Sequence, residues 1–493
     1  YWSLAARRYS PAAVGATAGL LAAMELIAAI ANLGLRTSLI RFVPSLGQRA
    51  GRVIAVSYLV SGALALSGAA AFVALHGRFF PELTLLDDAP GAAFFVVSTV
   101  LWVLFILQDS VLIGLRRSSW LPVENSLFAL AKLALLVALA SSMPQWGIYV
   151  SWAAPLLIVV VVVNVAVFTR LRHGVRDTGE RLTLTDLVRF SAGDYAASTV
   201  WLITIDGLPL LVLALAGAQA NAWYHLSWTV AYTLFLIPSA IGSALLAEAA
   251  HDAPRLEANT RKALLLSLAL VAPAALLLAV GAPLLLSLFG AAYADDASSL
   301  LRLLSLSAIP YAVTILYVNL ERARRRIAVV VRLYAVSCAA LMALSAAMVP
   351  WLGVTATGVA WLVVQSVLAA WVLLVPLREL WLRVLPTRVL RSLGAPTTWR
   401  DRRRHWRSAT ALVARVAPQV RPDATSWSVL HATNDVVVAR VSCADGPDAI
   451  LKLPQTHPAE LSRRREMASL AALRRHPATQ AWAAAAPEVL DHG

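Results

Sequence analysis

Long apolar runs separated by short polar breaks recur over the first three quarters of the chain. Most have about 17–25 residues, the length that an α-helix needs to cross the hydrocarbon core of a bilayer. The pattern predicts an all-α polytopic membrane protein with eleven complete spans, and the opening residues read as the truncated end of a twelfth. The predicted spans are residues 12–33, 53–75, 94–114, 123–140, 149–169, 192–216, 223–247, 263–288, 299–319, 327–349 and 355–377.

Basic residues are concentrated in every second loop. The loop at 36–52 and each alternate loop after it hold eighteen Arg or Lys in total, whereas the intervening loops hold three. Short loops rich in Lys and Arg stay on the cytoplasmic side of a membrane. We therefore predict that these loops, and the tail after about residue 377, lie in the cytoplasm of a multi-pass protein of the plasma membrane.

Residues 101–136 predict a hairpin of two membrane helices joined by a basic turn at Arg116 and Arg117. Lys132 lies near the middle of the second helix, where inserting an ammonium group costs about 2.5–3.5 kcal/mol. Asn125 precedes it by two helical turns on the same face. Charged residues at this depth usually face the interior of a bundle, so we expect the hairpin to line a polar cavity of a transporter.

Carboxyl groups also lie inside predicted spans, at Glu25, Asp194 and Asp206. Asp206 begins the run Asp-Gly-Leu-Pro at 206–209, which predicts a bend or break in that helix. Two structural roles are alternatives: Asp194 can reach the cytoplasmic interface, and Glu25 or Asp206 can form an ion pair with Lys132.

Residues 9–42 and 216–249 resemble one another, each being a span followed by an exit rich in small residues. The shift between them corresponds to six spans, which predicts two six-helix bundles. Transporters commonly carry their substrate site at the interface of such halves. The alternative is that alanine-rich helices resemble one another by composition alone.

The composition supports the membrane assignment, because 59% of the 493 residues are hydrophobic and only 14% are charged. Soluble domains carry about 25% charged residues. The formal net charge of +15 follows from the basic loops and tail. Cys338 and Cys443 offer neither a disulfide framework nor a metal motif.

Four runs, AARRYSPAAVG, LGLRTSLIRFVP, LQDSVLIGLRRSSWLPVEN and FGAAYADDASSLLRLLSLSAIPYAVTILYV, resemble the polysaccharide flippase branch of the multidrug/oligosaccharidyl-lipid/polysaccharide exporter superfamily. The resemblance covers residues 1–377 and implies two six-helix bundles around a central cavity, with alternating access driven by an ion gradient or the membrane potential. The implied substrate is an undecaprenyl-pyrophosphate-linked oligosaccharide, moved outward for cell-surface polysaccharide or lipopolysaccharide synthesis. It also implies partners among polysaccharide polymerases and glycosyltransferases, and no cofactor for the membrane domain.

Flippases of this kind use basic cavity residues against the lipid pyrophosphate. Lys132 is the best positional match, and Arg7 and Arg8 match a basic pair near the outer end of the first helix. We expect Asn125 and Glu25 beside them in the cavity, with Asp206 and Asp194 as candidates for ion coupling. The alternatives are a drug or cation antiporter and a lipid II flippase of the same superfamily.

Residues 378–422 form a basic linker with eleven Arg and two acidic residues. Next to a last span, such a cluster predicts adhesion to anionic lipid heads, worth about 1 kcal/mol per charge near the surface. A solvated linker is the alternative, and we expect no nucleic-acid partner.

Residues 423–493 predict three strands and a helix, an order that resembles the small lobe of aminoglycoside-phosphotransferase-like kinases. The resemblance implies that Lys452 holds nucleotide phosphates and pairs with Glu466, and that a complete domain uses ATP with Mg²⁺. Ala432 stands where the family has glycine, and the catalytic loop would follow the end of this sequence. A regulatory pseudokinase, a small structural αβ cap, and a membrane-anchored small-molecule kinase are the alternatives.

Overall fold

We describe the protein from a computed structural model. The structure describes residues 1–46, 49–171, 184–249, 256–377, 422–432, 436–443 and 449–454. The chain divides into two units, Tyr1–Arg383 and Val384–Gly493, which are described separately.

The described part of the first unit consists of helices and turns. Its helices are α1 (Trp2–Arg8), α2 (Pro11–Ala31), α3 (Leu35–Phe42), α4 (Ala50–Phe79), α5 (Ala89–Gly114), α6 (Trp120–Leu139), α7 (Gly147–Leu171), α8 (Leu184–Ala249), α9 (Leu256–Val280), α10 (Ala282–Ser287), α11 (Ala291–Ala323), α12 (Ile327–Leu352) and α13 (Thr355–Leu374). Ten of these helices are long and apolar enough to cross a membrane. The spans that the apolar runs predict all fall on these helices, and the hairpin around Lys132 is formed by α5 and α6.

The predicted spans 192–216 and 223–247 lie on one element, α8, and the chain turns inside it at Gly217. Gly217 has φ 86° and ψ 176°, a conformation that L side chains rarely adopt. The prediction of a break at 206–209 is wrong, because Pro209 lies inside the helix and the departure from helical geometry within α8 is at Gly217.

The predicted span 263–288 is also divided. Helix α9 ends at Val280, and the short α10 begins two residues later. Gly281 and Pro283 fall at this junction, where Pro283 takes one of the first positions of α10. Proline favours a helix start because its missing N–H has no partner there in any case.

Local capping explains where two membrane helices begin. The Ser10 hydroxyl accepts a hydrogen bond from the Ala13 N–H at 3.2 Å, and Pro11 is the first residue of α2. The Asp88 carboxylate accepts one from the Gly91 N–H at 2.9 Å at the start of α5. Both caps satisfy backbone donors that the first helical turn leaves free.

Two aromatic clusters mark the cores of the two halves. In the first half, the ring centroids of Trp102 and Trp152 are 4.7 Å apart. In the second half, those of Trp228 and Trp361 are 4.8 Å apart, and Phe235 packs beside Trp361. Residues of α2 and α8 belong to both cores, so these two helices join the halves.

In the second unit the structure describes β1 (Pro422–Ala432), β2 (Val436–Cys443) and β3 (Ala449–Pro454). They form an antiparallel sheet in the order β1-β2-β3, in the region where the sequence predicts three strands. Lys452 lies on β3 opposite Val438 of β2. Glu466 and its predicted helix lie outside the described residues.

Candidate functional site

Helices α2 and the first part of α8 run antiparallel along a shared face, which we call the α2/α8 seam. At one end, Asn221 donates its side-chain N–H to the Gly15 carbonyl at 2.7 Å. At the other end, the Tyr195 hydroxyl donates to the Ile30 carbonyl, also at 2.7 Å. Because these bonds lie near opposite ends of α2, the two halves of the protein contact each other across most of its length.

The end of the seam near Gly217 depends on small residues and one carboxylate. A side chain at Gly15 would collide with the backbone of Ala218 and Ala222. The Glu82 carboxylate accepts the Ala218 N–H at 2.6 Å, which satisfies a backbone donor exposed by the turn at Gly217. The predicted topology assigns this end to the outer side of the membrane.

Glu25 and Asp206 meet near the middle of the seam, with their carboxyl groups within side-chain hydrogen-bonding reach. Asp206 is only 4% exposed, and its Oδ2 atom has no hydrogen-bond partner among the described residues. Tyr224 and Tyr232, from the second part of α8, lie near enough to interact electrostatically with Asp206. The structure therefore brings together one predicted cavity residue and one predicted ion-coupling residue.

Lys132 occupies a cage of aromatic rings. Its Nζ lies 5.0 Å from the ring centroid of Tyr1, 5.2 Å from that of Phe128 and 5.6 Å from that of Trp152. The rings come from α6, α7 and the residue before α1. A ring face attracts a cation through its quadrupole, so the cage stabilises the ammonium group without neutralising it.

No carboxylate within the described part of the chain makes a salt bridge with Lys132. Glu25 and Asp206, the alternative partners, face each other instead. Asn125 is exposed, and it donates to the Leu121 carbonyl of its own helix at 2.9 Å. The structure does not bring Asn125 together with Lys132, although the two share a helical face.

The other predicted residues lie apart from this cage. Arg7 and Arg8 are exposed at the end of α1, about 9–10 Å along the helix from Tyr1. The Arg7 guanidinium donates through Nε to the Leu288 carbonyl at 2.8 Å, which ties α1 to the end of α10. The backbone of Asp194 lies on α8, and its side chain is outside the described part.

The sequence reasoning missed a polar cluster inside the first half. Gln108 of α5 donates to the Glu124 carboxylate of α6, and the Asn164 amide of α7 donates to the Gln108 carbonyl oxygen at 2.6 Å. Gln108 is fully buried and Glu124 is 5% exposed. The three polar side chains in otherwise apolar spans were the sequence feature that could have predicted this cluster.

Among the residues that the structure describes, no group of three or more His, Cys, Asp or Glu side chains could hold a metal ion. The site so far consists of a cation caged by rings, a buried carboxyl pair and an amide-carboxylate cluster.

Comparison with solved structures identifies the fold. A multidrug resistance MATE family transporter of the MOP superfamily, in its inward-facing conformation, matches with a TM-score of 0.61 and 14% identity over 78% of this chain and 96% of that one. The lipid II flippase MurJ, in an inward closed conformation, matches with a TM-score of 0.55 and 10% identity over 74% of this chain and 85% of that one. The membrane unit shares the fold of these two solved structures.

No protein-family model and no curated protein matches the sequence. This shared fold, together with ten described helices able to span a bilayer, makes the chain a multi-pass helical membrane protein. The predicted fold class is thereby confirmed for the membrane unit. A fold shared by a multidrug transporter and a lipid flippase does not by itself assign a substrate.

Proposed function

We propose that the membrane unit is a flippase that moves an undecaprenyl-pyrophosphate-linked oligosaccharide from the inner to the outer leaflet of the plasma membrane. The fold supports a transporter or flippase, since both kinds of protein share it. The substrate is argued from the chemistry of one side chain.

The observation that carries the proposal is the aromatic cage of Lys132. A membrane-embedded ammonium group without a carboxylate partner among the described residues favours an anionic ligand. Cation–π contacts are worth about 0.5–2 kcal/mol each. Charge-assisted hydrogen bonds to phosphate oxygens are stronger than hydrogen bonds between neutral groups. The ammonium group can therefore leave the aromatic rings and bind a pyrophosphate.

The cost of the transport step explains why a cation is needed. A pyrophosphate cannot enter hydrocarbon without losing its hydration, whereas its isoprenoid tail remains in the lipid. A positive charge in a wet groove offsets that loss. Arg7 and Arg8, exposed near the end of α1, are candidates for contacts with the same head group.

The alternatives differ in the charge they require. A drug or cation antiporter is favoured by the buried pair Glu25 and Asp206, because paired carboxyl groups bind a cation or a proton. A lipid II flippase carries a pyrophosphate lipid of the same chemical class. Its substrate differs from the one we propose only in the attached sugar. A kinase that uses its helices merely as an anchor does not need ten helices able to span a bilayer.

The test is the distribution of lipid-linked oligosaccharides between leaflets in a strain that lacks this protein. We expect accumulation on the cytoplasmic leaflet, cleared by the wild type and by Lys132→Arg. Lys132→Met should clear it about tenfold more slowly, the equivalent of about 1.4 kcal/mol of lost interaction. Insertion should not suffer, because the substitution removes an insertion cost.

Lys262→Met, at an exposed position near the start of α9 in the segment predicted to be cytoplasmic, is the matched control and should transport normally. Equal clearance by Lys132→Met and the wild type would refute the role of the cage. No accumulation in the deletion strain would refute the substrate class, and dye export by the same protein would then favour the antiporter.

For the second unit we propose a kinase-like small lobe that binds ATP with Mg²⁺ through Lys452 and Glu466. The antiparallel order of β1, β2 and β3 and the position of Lys452 on β3 support it.

We further propose that residues 378–422 adhere to anionic lipids of the cytoplasmic leaflet. We also propose that polymerases or glycosyltransferases are partners.

A further inference from the structure

We propose that Arg116 and Arg325 form two equivalent sites, one in each half of the membrane unit, for the phosphate groups of membrane lipids. Arg116 lies in the turn between α5 and α6, and Arg325 lies in the turn between α11 and α12. The predicted topology assigns both turns to the cytoplasmic side. The sites are distinct from the Lys132 cage and from the Glu25–Asp206 pair.

Both arginines have a backbone conformation that is rare for their residue type. Among the described residues other than glycine, only Leu33, Arg116 and Arg325 have positive φ, and the two arginines have φ values of 57° and 60°. A residue with a side chain is strained in this left-handed region, because its Cβ approaches the following carbonyl oxygen. Helices that end in this conformation therefore usually place glycine there. Arginine at both positions indicates that its side chain has a role beyond forming the turn.

The two turns share one hydrogen-bonding pattern. The Arg116 N–H donates to the Ile113 carbonyl at 2.9 Å, and the N–H of the next residue, Arg117, donates to the Leu112 carbonyl at 2.8 Å. Arg325 and the residue that follows it repeat both bonds at the end of α11, again at 2.9 and 2.8 Å. The backbone of each turn is thus satisfied by its own helix, and only the side chain remains for a ligand.

The turns also occupy equivalent places in the two halves. Arg325 follows Arg116 at nearly the same spacing as separates the similar runs at residues 9–42 and 216–249, which corresponds to six predicted spans. The same residue therefore recurs in the same strained conformation at related positions of the internal repeat.

Contacts along the chain place both turns at one end of the membrane unit. A side chain at Gly114, the last residue of α5, would collide with the backbone of α3. The Ser38 hydroxyl of α3 bonds to that of Ser191 on α8 at 3.2 Å. A Cβ at Gly193 would lie 3.2 Å from a methyl group of Ile327, the first residue of α12. The two turns are therefore linked through α3 and the start of α8.

The side chains of both strained arginines are available for a ligand. Arg116 and Arg325 are exposed, and their guanidinium groups make no hydrogen bond or ion pair within the described part of the chain. The Glu321 carboxylate lies 3.1 Å from Arg324 and 3.8 Å from Arg326. This carboxylate thus pairs with the two neighbours of Arg325 and not with Arg325 itself.

Two general roles of basic residues do not explain the strained positions. Basic residues in short loops orient a membrane protein, and positive charges favour the C-terminal end of a helix. Arg117 and Arg326 supply such a charge at the adjacent position without a positive φ. Neither role requires that the strained position carry arginine in place of glycine.

The chemistry of the side chain and its predicted location define the ligand. A guanidinium group binds a phosphate through two parallel N–H donors, which a point charge cannot do. Anionic lipids of the cytoplasmic leaflet attract basic residues near the membrane surface. The phosphate belongs either to a bilayer phospholipid or to a pyrophosphate carrier lipid, and only the second source rests on the proposed function.

The experiment counts the lipids bound to the purified full-length protein by native mass spectrometry, during titration with phosphatidylglycerol in detergent. At a concentration that just saturates the wild type, Arg116→Gly and Arg325→Gly should each lose one bound lipid, and the double variant should lose two. Each substitution should weaken its own site at least about tenfold. The difference from the wild type is the readout, because residues 378–422 are also basic.

Glycine substitutions separate the loss of binding from a loss of folding. Since glycine adopts positive φ without strain, both variants should unfold at or above the wild-type temperature in lipid-free detergent. Arg78→Ala is the matched control, because it removes an exposed arginine near the end of α4, outside the two turns. It should bind as many lipids as the wild type.

Competition with undecaprenyl pyrophosphate then identifies the source of the phosphate. Displacement of phosphatidylglycerol from the two sites would assign them to the carrier lipid, and its retention would assign them to bilayer phospholipids; both results support a lipid-phosphate site. An unchanged lipid count in the double variant would overturn the proposal. An equal loss in Arg78→Ala, or a lower unfolding temperature of the glycine variants, would also overturn it. Because transport is not measured, the outcome is independent of the flippase proposal.

Discussion

Lys132 is kept apart from the carboxyl pair of Glu25 and Asp206 inside the membrane unit. Lys132 is surrounded by the rings of Tyr1, Phe128 and Trp152, whereas Glu25 and Asp206 face each other. A buried ion pair would have neutralised both groups in a fixed structure. Separation leaves one site suited to an anion and another suited to a cation or a proton.

The carboxyl pair gives a prediction about coupling. Two like charges in contact in a low-dielectric interior repel, so the pair is stable when it holds a proton or a cation. Asp206→Asn removes one of the two carboxyl groups that could exchange a proton or cation. We therefore expect the stimulation of flipping by an imposed proton or sodium gradient to fall about tenfold. The measurement compares the rate of flipping in inverted vesicles with and without each gradient.

Asp296→Asn is the matched control, because it removes a carboxylate that is exposed on α11. A gradient dependence that is unchanged in Asp206→Asn would exclude the pair as the coupling site. Loss of dye export in Asp206→Asn, combined with full activity in Lys132→Met, would instead favour the antiporter.

Sequence spacing located the deep charges and did not identify their partners. Heptad spacing places Asn125 on the face of Lys132, yet Asn125 bonds to the Leu121 carbonyl and remains exposed. Glu124, one residue earlier, is the buried group. The sequence spacing predicts which residues share one face of a helix. The packing of neighbouring helices determines which of those faces are buried.

At the scale of elements, the α2/α8 seam is the contact that alternating access would have to open. Gly15 and Gly19 let α2 approach α8 closely at the end near Gly217. Asn221 and Glu82 then bond backbone groups that the close approach and the turn expose. The same contacts are absent from any state in which the two halves separate at this end.

Gly15→Val should shift the protein toward that separated state. Its added side chain meets the backbone of Ala218 and Ala222, which cannot move aside as a flexible side chain can. Overpacking of this kind costs about 1–3 kcal/mol. Spin labels at Ala12→Cys and Gln219→Cys, in a chain with Cys338 and Cys443 replaced, should report a longer distance.

Gly51→Val is the control, because a side chain there would meet nothing within 4 Å. It should leave the spin-label distance unchanged. The same distance in Gly15→Val and Gly51→Val would show that the close approach at Gly15 is not needed to keep this end closed.

The turn in α8 shows what a local pattern can and cannot predict. Proline at 209 suggested a break, but the helix continues through Pro209 and turns at Gly217. Membrane helices tolerate proline where neighbouring groups satisfy the freed backbone. A reversal of direction instead needs a positive φ, which glycine supplies. The order and approximate positions of the spans were predictable because length and apolarity set them; the site of the turn was not.

At the scale of the whole molecule, the basic residues that carry the prediction of orientation lie in short turns between helices. Arg116 and Arg325 adopt positive φ values of 57° and 60° in the turns after α5 and α11, which the charge pattern assigns to the cytoplasm. Glu321 forms ion pairs with Arg324 and Arg326 beside the second turn. The acidic residues Glu82 and Asp87 lie in the loop between α4 and α5, assigned to the outer side.

The substrate is the property that the sequence reveals least. Spacing of apolar runs is enough to predict a polytopic helical fold, and the described helices bear this out. The same fold occurs in a multidrug transporter and in a lipid II flippase. The seam and the cage of this chain bring together side chains from distant helices, so three-dimensional proximity is needed to recognise them.

The transport residues proposed above and the proposed nucleotide-binding residues lie in different units. Lys132, Glu25 and Asp206 all lie in the first unit, so a chain lacking residues 423–493 should still flip its substrate, at no less than about a third of the wild-type rate.

The full chain should bind a fluorescent ATP analogue with Mg²⁺. Lys452→Ala should weaken this binding about tenfold, because a lysine on this strand would hold the phosphates. Lys262→Ala is the control for binding. Complete loss of flipping in a stably inserted truncated chain would make the second unit part of the transport mechanism, and equal nucleotide binding by Lys452→Ala would refute the kinase-like assignment.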